Sequence, residues 1–277
     1  VYSQQQKATL GIGMSTPKER IEICGNVPSR VATAVSTIAK EAVAQKGAFS
    51  IAIAGGSLVK MLGAMAGTEG VDWEKWHVAW VDERCVNHSH PESNYGGARD
   101  AWLSKVSIPA EQIYAIDETL CVDSVASKER AEQAAEAYND LLGKVPRTAL
   151  PRSADGLPIF DLLLLGFGPD GHICSLFPDH ALLSDESQRW VLPIWDSPKP
   201  PPERISFSLP VVQAASHVLL VGTGEGKQEV VHKALSDSSC ALPCRLARAS
   251  DGGVTWILDS AAAGLLSSEM PNIERFP

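Results

Sequence analysis

The stretch Leu162–His180, LLLLGFGPDGHICSLFPDH, decides how the rest of the chain is read. Four consecutive leucines after Asp161 form a short, wholly apolar run, the pattern of a strand buried on both faces. The run stops at Gly166, and glycines, a proline and an aspartate follow before His172. That composition suits neither helix nor strand, so the chain must turn sharply there. In open α/β sheets, ligands sit beyond the carboxyl ends of the strands. A buried strand running into a loop with Asp170 and His172 therefore makes His172 a candidate catalytic base. Neutral imidazole takes a proton from water near pH 7, and a carboxylate can hold its tautomer.

Upstream, Ile21–Cys24 reads as a first strand. Asn26 offers an N-cap, Pro28 sits in the first turn, and apolar residues from Val31 to Ala42 recur at helical spacing up to a stop at Gly47. Phe49–Ala54 is a second strand ending at Gly55-Gly56-Ser57, where Leu58, Met61, Leu62 and Met65 open a helix. Trp76–Val81 is a third strand ending in Asp82-Glu83-Arg84; residues 85–97 read as a loop, and a helix is expected over Arg99–Lys105. The clearest helix spans Val125–Leu142, with an alanine-rich stripe against a charged face.

Downstream, strands are expected at Trp190–Trp195, Arg204–Ser208, His217–Val221 and Val254–Leu258. Helices are expected at Leu209–Ala215, at Gln228–Leu235 and from Ser260. The proline-rich stretch 197–202, SPKPPP, reads as a stiff connector. Alternating strands and helices predict a single Rossmann-like α/β domain, with a mostly parallel sheet flanked by helices on both faces. Its expected span is 21–277, with 1–20 an N-terminal extension.

The chain of 277 residues carries a net charge of −9, which disfavours nucleic acid or an anionic membrane as the main partner. No apolar run reaches the ~18 residues of a membrane span, and the N-terminus does not read as a secretory signal. The six scattered cysteines suit reduced thiols in a cytoplasmic or other reducing intracellular setting. The expected partner is a small molecule, with the protein a monomer or weak homo-oligomer.

Several short motifs bear on chemistry. Gly55-Gly56-Ser57 joins a strand to a helix, where backbone N–H groups and a hydroxyl favour an anion; an ordinary turn with Ser57 as cap explains it equally well. Asp82-Glu83-Arg84 is either a solvated strand end or a place where Arg84 grips a phosphate. Lys227 follows a glycine-rich turn that is not a Walker loop, and Arg204 taken singly reads as a surface charge. Gly166–Gly171 is a literal G-x-G-x-x-G, but Pro169 and Pro178 leave no room for the helix that dinucleotide binding requires. Cys85, His88 and His90 lack a fourth metal ligand, as does the lone pair Cys240 and Cys244. No G-x-S-x-G elbow is present.

Taken in order, IAIAGGS (51–57), WVDER (80–84), SNYG (93–96), LLLLGFGPDGHICSLFP (162–178), RISFS (204–208) and GEGK (224–227) resemble the family of 6-phosphogluconolactonases and glucosamine-6-phosphate deaminases. The lactonase branch implies hydrolysis of 6-phospho-D-glucono-1,5-lactone in the oxidative pentose phosphate pathway with no cofactor, and no residue is assigned to a metal. It implies His172 as the base that activates water and Asp170 as its orienting partner. Gly55, Gly56, Ser57, Asp82, Arg84, Asn94, Gly168, Gly171, Arg204 and Lys227 would bind substrate and its phosphate. The deaminase branch shares the DGH motif but continues as GHIAFNEP, so Phe177 stands where that branch keeps a glutamate. Arg84 likewise replaces the tyrosine of its MDEY block. Deaminase-isomerase activity and a non-catalytic sugar-phosphate sensor are the alternatives.

Overall fold

The computed structural model describes residues 18–121, 126–185, 187–267 and 269–277. The expected N-terminal extension therefore lies outside the described residues as far as residue 17, and Glu19 and Arg20 already belong to the first strand. The strands are β1 (Glu19–Cys24), β2 (Phe49–Ile53), β3 (Trp76–Trp80), β4 (Asp82–Arg84), β5 (Ile113–Tyr114), β6 (Leu162–Gly166), β7 (Val191–Ile194), β8 (Arg204–Phe207), β9 (Val218–Gly222), β10 (Val254–Leu258) and β11 (Ile273–Phe276). The helices are α1 (Val27–Lys46), α2 (Ser57–Leu62), α3 (Asn94–Ala101), α4 (Lys128–Gly143), α5 (Leu209–Ala214), α6 (Gln228–Ser236) and α7 (Pro243–Leu246).

Eight strands form one sheet in the order β11-β1-β10-β9-β6-β2-β3-β5, and every neighbouring pair is parallel. The leucine run is its centre. Leu162 to Leu165 are all fully buried, so both faces of the sheet are covered there. Each such side chain contributes about 1.5–3 kcal/mol of burial. α1 is built as its sequence dictates: the Asn26 side chain accepts from Ser29 N at 3.1 Å, and Gly47 closes the helix at φ 79°.

A second sheet of three strands, β4-β8-β7, is antiparallel throughout. The expected strands at Trp190–Trp195 and Arg204–Ser208 thus lie outside the main sheet, packed beside α4. Val81 is the hinge between the two sheets: its N–H donates to Ile53 O and its carbonyl accepts from Phe207 N at 2.7 Å. Three other expectations need correction. The helix placed at Arg99–Lys105 starts earlier, at Asn94, because Ser93 caps it through Gly96 N. The described part of the long helix begins at Lys128, capped by Ser127, and Val125 lies outside the described residues. Residues 260–265 are turns in place of a final helix, and the chain ends in β11, paired with β1.

Candidate active site

From β2 the chain proceeds to β3 and β5 on one side; from β6 it proceeds to β9 and β10 on the other. The winding direction therefore reverses between β2 and β6, and a crevice must open at their carboxyl ends. A cleft of about 250 Å³ lies there. Gly55, Gly56 and Ser57 line it after β2, Gly168 and His172 after β6, and Lys227 after β9. Asp82 and Arg84 of β4, Asn94 of α3 and Arg204 of β8 complete the wall. Asp170 and Gly171 are not on it. Asp170 stands behind His172, while Gly171, at φ 88°, accepts from Cys244 N at 2.9 Å and anchors the loop to α7.

Two of the glycines that line the cleft are required by close approach to the site's own side chains. A Cβ on Gly168 would lie 2.1 Å from both His172 Nδ1 and Asp170 Oδ1, and one on Gly55 would lie 1.7 Å from Asn94 Oδ1. The bare backbone at Gly168 thus makes room for the imidazole and its partner. His172 Nδ1 lies 2.6 Å from Asp170 Oδ1. The carboxylate can only accept, so Nδ1 carries the proton and Nε2 the lone pair. The Phe177 ring packs on the imidazole with centroids 4.7 Å apart.

Burial pushes the His172 pKa below its ordinary 6.5; Asp170 opposes that shift and Lys199 adds to it. Partial burial works against ionisation of Asp170. The hydrogen bond from His172 and the ammonium of Lys199 outweigh it and hold the carboxyl at about 2. Lys199 comes from the proline-rich connector, with Nζ 3.0 Å from Asp170 Oδ2. Nothing in a single lysine between prolines marked it out in the sequence.

β4 is not a solvated strand end. Its alternation sends Asp82 and Arg84 to the cleft and Glu83 the other way, into the start of α3. Asp82 and Glu83 are buried. Asp82 Oδ2 accepts from Ser175 Oγ at 2.9 Å, and Asp82 O from Asn94 Nδ2 at 2.9 Å. Glu83 accepts from the backbone N–H groups of Arg84, Asn94 and Tyr95 at 2.7–2.8 Å. Its near-complete burial still pushes the carboxyl up to about 7.

The cations are held firmly. Arg84 sits directly opposite Arg204 in the β4–β8 register. Arg84 Nη1 donates to Glu92 Oε2 at 2.8 Å, while its buried Nε finds no partner in the protein. Arg204 is buried, contrary to the surface reading, and donates to the carbonyls of Lys199, Pro200 and Pro201. Lys227 Nζ donates to Phe167 O at 2.5 Å, and burial pulls its pKa down. Among the described residues no group of three or more His, Cys, Asp or Glu side chains is arranged to hold a metal.

A sequence model of the family described as glucosamine-6-phosphate isomerases/6-phosphogluconolactonase matches residues 26–256. The chain belongs to this family. Within it, the chain is 48% identical over 236 residues to a protein of Oryza sativa subsp. indica named probable 6-phosphogluconolactonase 3, chloroplastic, spanning 82% of this chain and 69% of that one. It is 41% identical over 267 residues to 6-phosphogluconolactonase 3, chloroplastic, of Arabidopsis thaliana, covering 94% and 78%. Among solved structures, 6-phosphogluconolactonase from Trypanosoma brucei superimposes with a TM-score of 0.79 at 27% identity, over 90% of this chain and 99% of that chain. The fold of the family member is thus the one the leucine run implied.

Proposed function

We propose that this protein hydrolyses 6-phospho-D-glucono-1,5-lactone to 6-phospho-D-gluconate, with His172 as general base. The observation that carries this reading is the Asp170–His172 pair, 2.6 Å apart, set at one cleft with the facing arginines Arg84 and Arg204. Like charges directly opposite in an antiparallel pair are destabilising. A phosphate dianion beside them would relieve that repulsion and supply an acceptor for Arg84 Nε.

In this mechanism Nε2 of His172 takes a proton from water as its oxygen attacks C1. The tetrahedral oxyanion collapses, the C1–ring oxygen bond breaks, and the imidazolium returns its proton to the departing oxygen, which becomes the C5 hydroxyl. Water is the only co-substrate, so the chemistry calls for no cofactor. Gly55, Gly56, Ser57, Asp82, Asn94, Gly168 and Lys227 would complete the substrate's surroundings, while Gly171 serves the loop rather than the ligand.

The deaminase alternative is disfavoured by Phe177, which covers the imidazole with an aromatic ring at the position where that branch keeps its glutamate. We further propose that the chain from Glu19 onward acts as one domain, as a monomer or weak homo-oligomer, since Leu265 is the sole exposed large hydrophobic among the described residues. All six cysteines are buried and unpaired, which fits a reducing compartment, the cytoplasm or the plastid named for the plant relatives. No helix among the described residues is long and apolar enough to cross a membrane.

The test is a coupled lactonase assay corrected for spontaneous hydrolysis, run beside ammonia release from glucosamine 6-phosphate. Turnover in the first and none in the second is expected; phosphate-ester binding without acceleration would make the protein a sensor. Arg84→Ala should weaken binding of phosphorylated ligands by roughly 10–100-fold, the size of a lost charged hydrogen bond. Unphosphorylated gluconolactone should be little affected, and equal losses for both would remove Arg84 from phosphate recognition.

A further inference from the structure

Lys199 touches the dyad but has no part in the reaction just described. Its backbone is fixed on both sides: Lys199 O accepts from Ser197 Oγ at 2.9 Å and from Arg204 Nη2 at 2.8 Å, and Ser197 N donates to Pro202 O at 3.1 Å. The side chain passes the Phe177 ring, with Nζ 5.8 Å from its centroid. Nζ ends 3.0 Å from Asp170 Oδ2 and 3.1 Å from His172 Nδ1. These two contacts differ in kind. An ammonium has no lone pair and can only donate. Nδ1 gives its proton to Asp170 Oδ1, so it has nothing to offer a second donor. The hydrogen bond of Lys199 therefore goes to Oδ2, and its approach to Nδ1 is a fixed positive charge held against the ring.

We propose that Lys199 is a positioning residue that locks Asp170 against His172 and keeps the imidazole in its neutral, Nδ1-protonated form. Bridging one carboxylate oxygen leaves the other aimed at Nδ1, which fixes the ring orientation. The adjacent positive charge then disfavours a second proton on Nε2. The groups facing the imidazole pull in both directions. Asp170 from its own loop and Asp82 from β4 favour the imidazolium; burial and Lys199 from the connector oppose it. Arg84, Arg204 and Lys227 add positive charge to the same cleft. The balance leaves the histidine below its ordinary range. Without Lys199, two carboxylates would act on the ring with no cation in contact, and a proton on Nε2 would be favoured.

The inference rests on His172 acting as a base, and its test is chosen to separate the two. Lys199→Met, Lys199→Gln and Lys199→Arg are prepared in the full chain. The imidazole of His172 is titrated by two-dimensional NMR, its signals assigned by their loss in His172→Ala. In both uncharged variants the pKa is expected to rise by roughly one unit, a tenfold change in proton affinity. The acid limb of kcat/KM should move to higher pH by the same amount, and Lys199→Arg should restore both. An unmoved titration in a folded, active Lys199→Met protein overturns the proposal. So does a loss confined to KM for the phosphorylated lactone, which would make Lys199 a phosphate ligand. A moved titration in a protein without lactonase activity would reject the activity and retain the role of Lys199.

Discussion

Two of the carboxylates near the cleft, Asp170 and Glu83, each follow a parallel strand of the main sheet, and they behave in opposite ways. Asp170 is more than a third exposed, accepts from an imidazole, faces an ammonium and stays ionised down to about pH 2. Glu83 is 1% exposed, meets backbone N–H groups and no cation, and is pushed up to about 7. At the first, burial is the largest single influence, but the hydrogen bonds and charges of His172 and Lys199 together outweigh it. At the second, three peptide dipoles do not offset complete burial. In the proposed mechanism the first acid orients the reacting imidazole, while the second serves the architecture that presents Arg84 and Asn94.

That division can be broken by substitution. The largest effect is expected from His172→Ala, which should lower lactone turnover by about 10²–10⁴-fold, the usual contribution of a general base. Near-normal turnover in the coupled assay would end the proposed role. Gly168→Ala should follow with a loss of about 10²-fold, because its Cβ would displace the imidazole and misplacement on the order of 1 Å costs that much. A denaturant midpoint unchanged from wild type would show that the loss is local.

Glu83→Gln acts on stability. It removes one acceptor from buried N–H groups and should cost about 1–3 kcal/mol in urea unfolding. Its sign with pH is fixed too. The folded protein holds the Glu83 proton up to about 7 and the unfolded chain releases it near 4.5. This group's contribution to stability therefore falls as pH rises through that window. The variant should flatten the slope between pH 5 and 8; an unchanged slope would mean that Glu83 is ionised like Asp170. The smallest effect belongs to Glu92→Gln. Freeing Arg84 from a half-exposed counter-ion should tighten phosphorylated ligands by no more than about fivefold, in line with surface ion pairs worth under about 1 kcal/mol. Weaker binding would mean that Glu92 positions Arg84 rather than competing for it.

These segments also differ in how openly the sequence displayed them. The leucine run followed by glycines announces a buried strand and a turn, and Asp170 and His172 lie two residues apart, so their contact was within reach of a local reading. The Asp82-Glu83-Arg84 segment was ambiguous, because charges after an apolar strand look alike whether solvated or buried. Its meaning depends on β8, more than a hundred residues later, which pairs with it and buries Arg204. Lys199 was hidden for the same reason: only the path of the connector carries it to Asp170. The parallel sheet followed from periodicity, while the separate three-stranded sheet did not, since strand partnership is a long-range property.

The pairing of β4 with β8 also has a bearing on biosynthesis. Arg84 and its partner Arg204 are 120 residues apart in the chain (204 − 84). At roughly 5–20 residues per second, the first leaves the ribosome on the order of ten seconds before the second. Throughout that interval β4 lacks the strand that pairs with it. The cleft wall formed by the two arginines therefore closes late in synthesis, so a nascent chain that has released His172 and Asp170 but not Arg204 carries them beside an unfinished cleft.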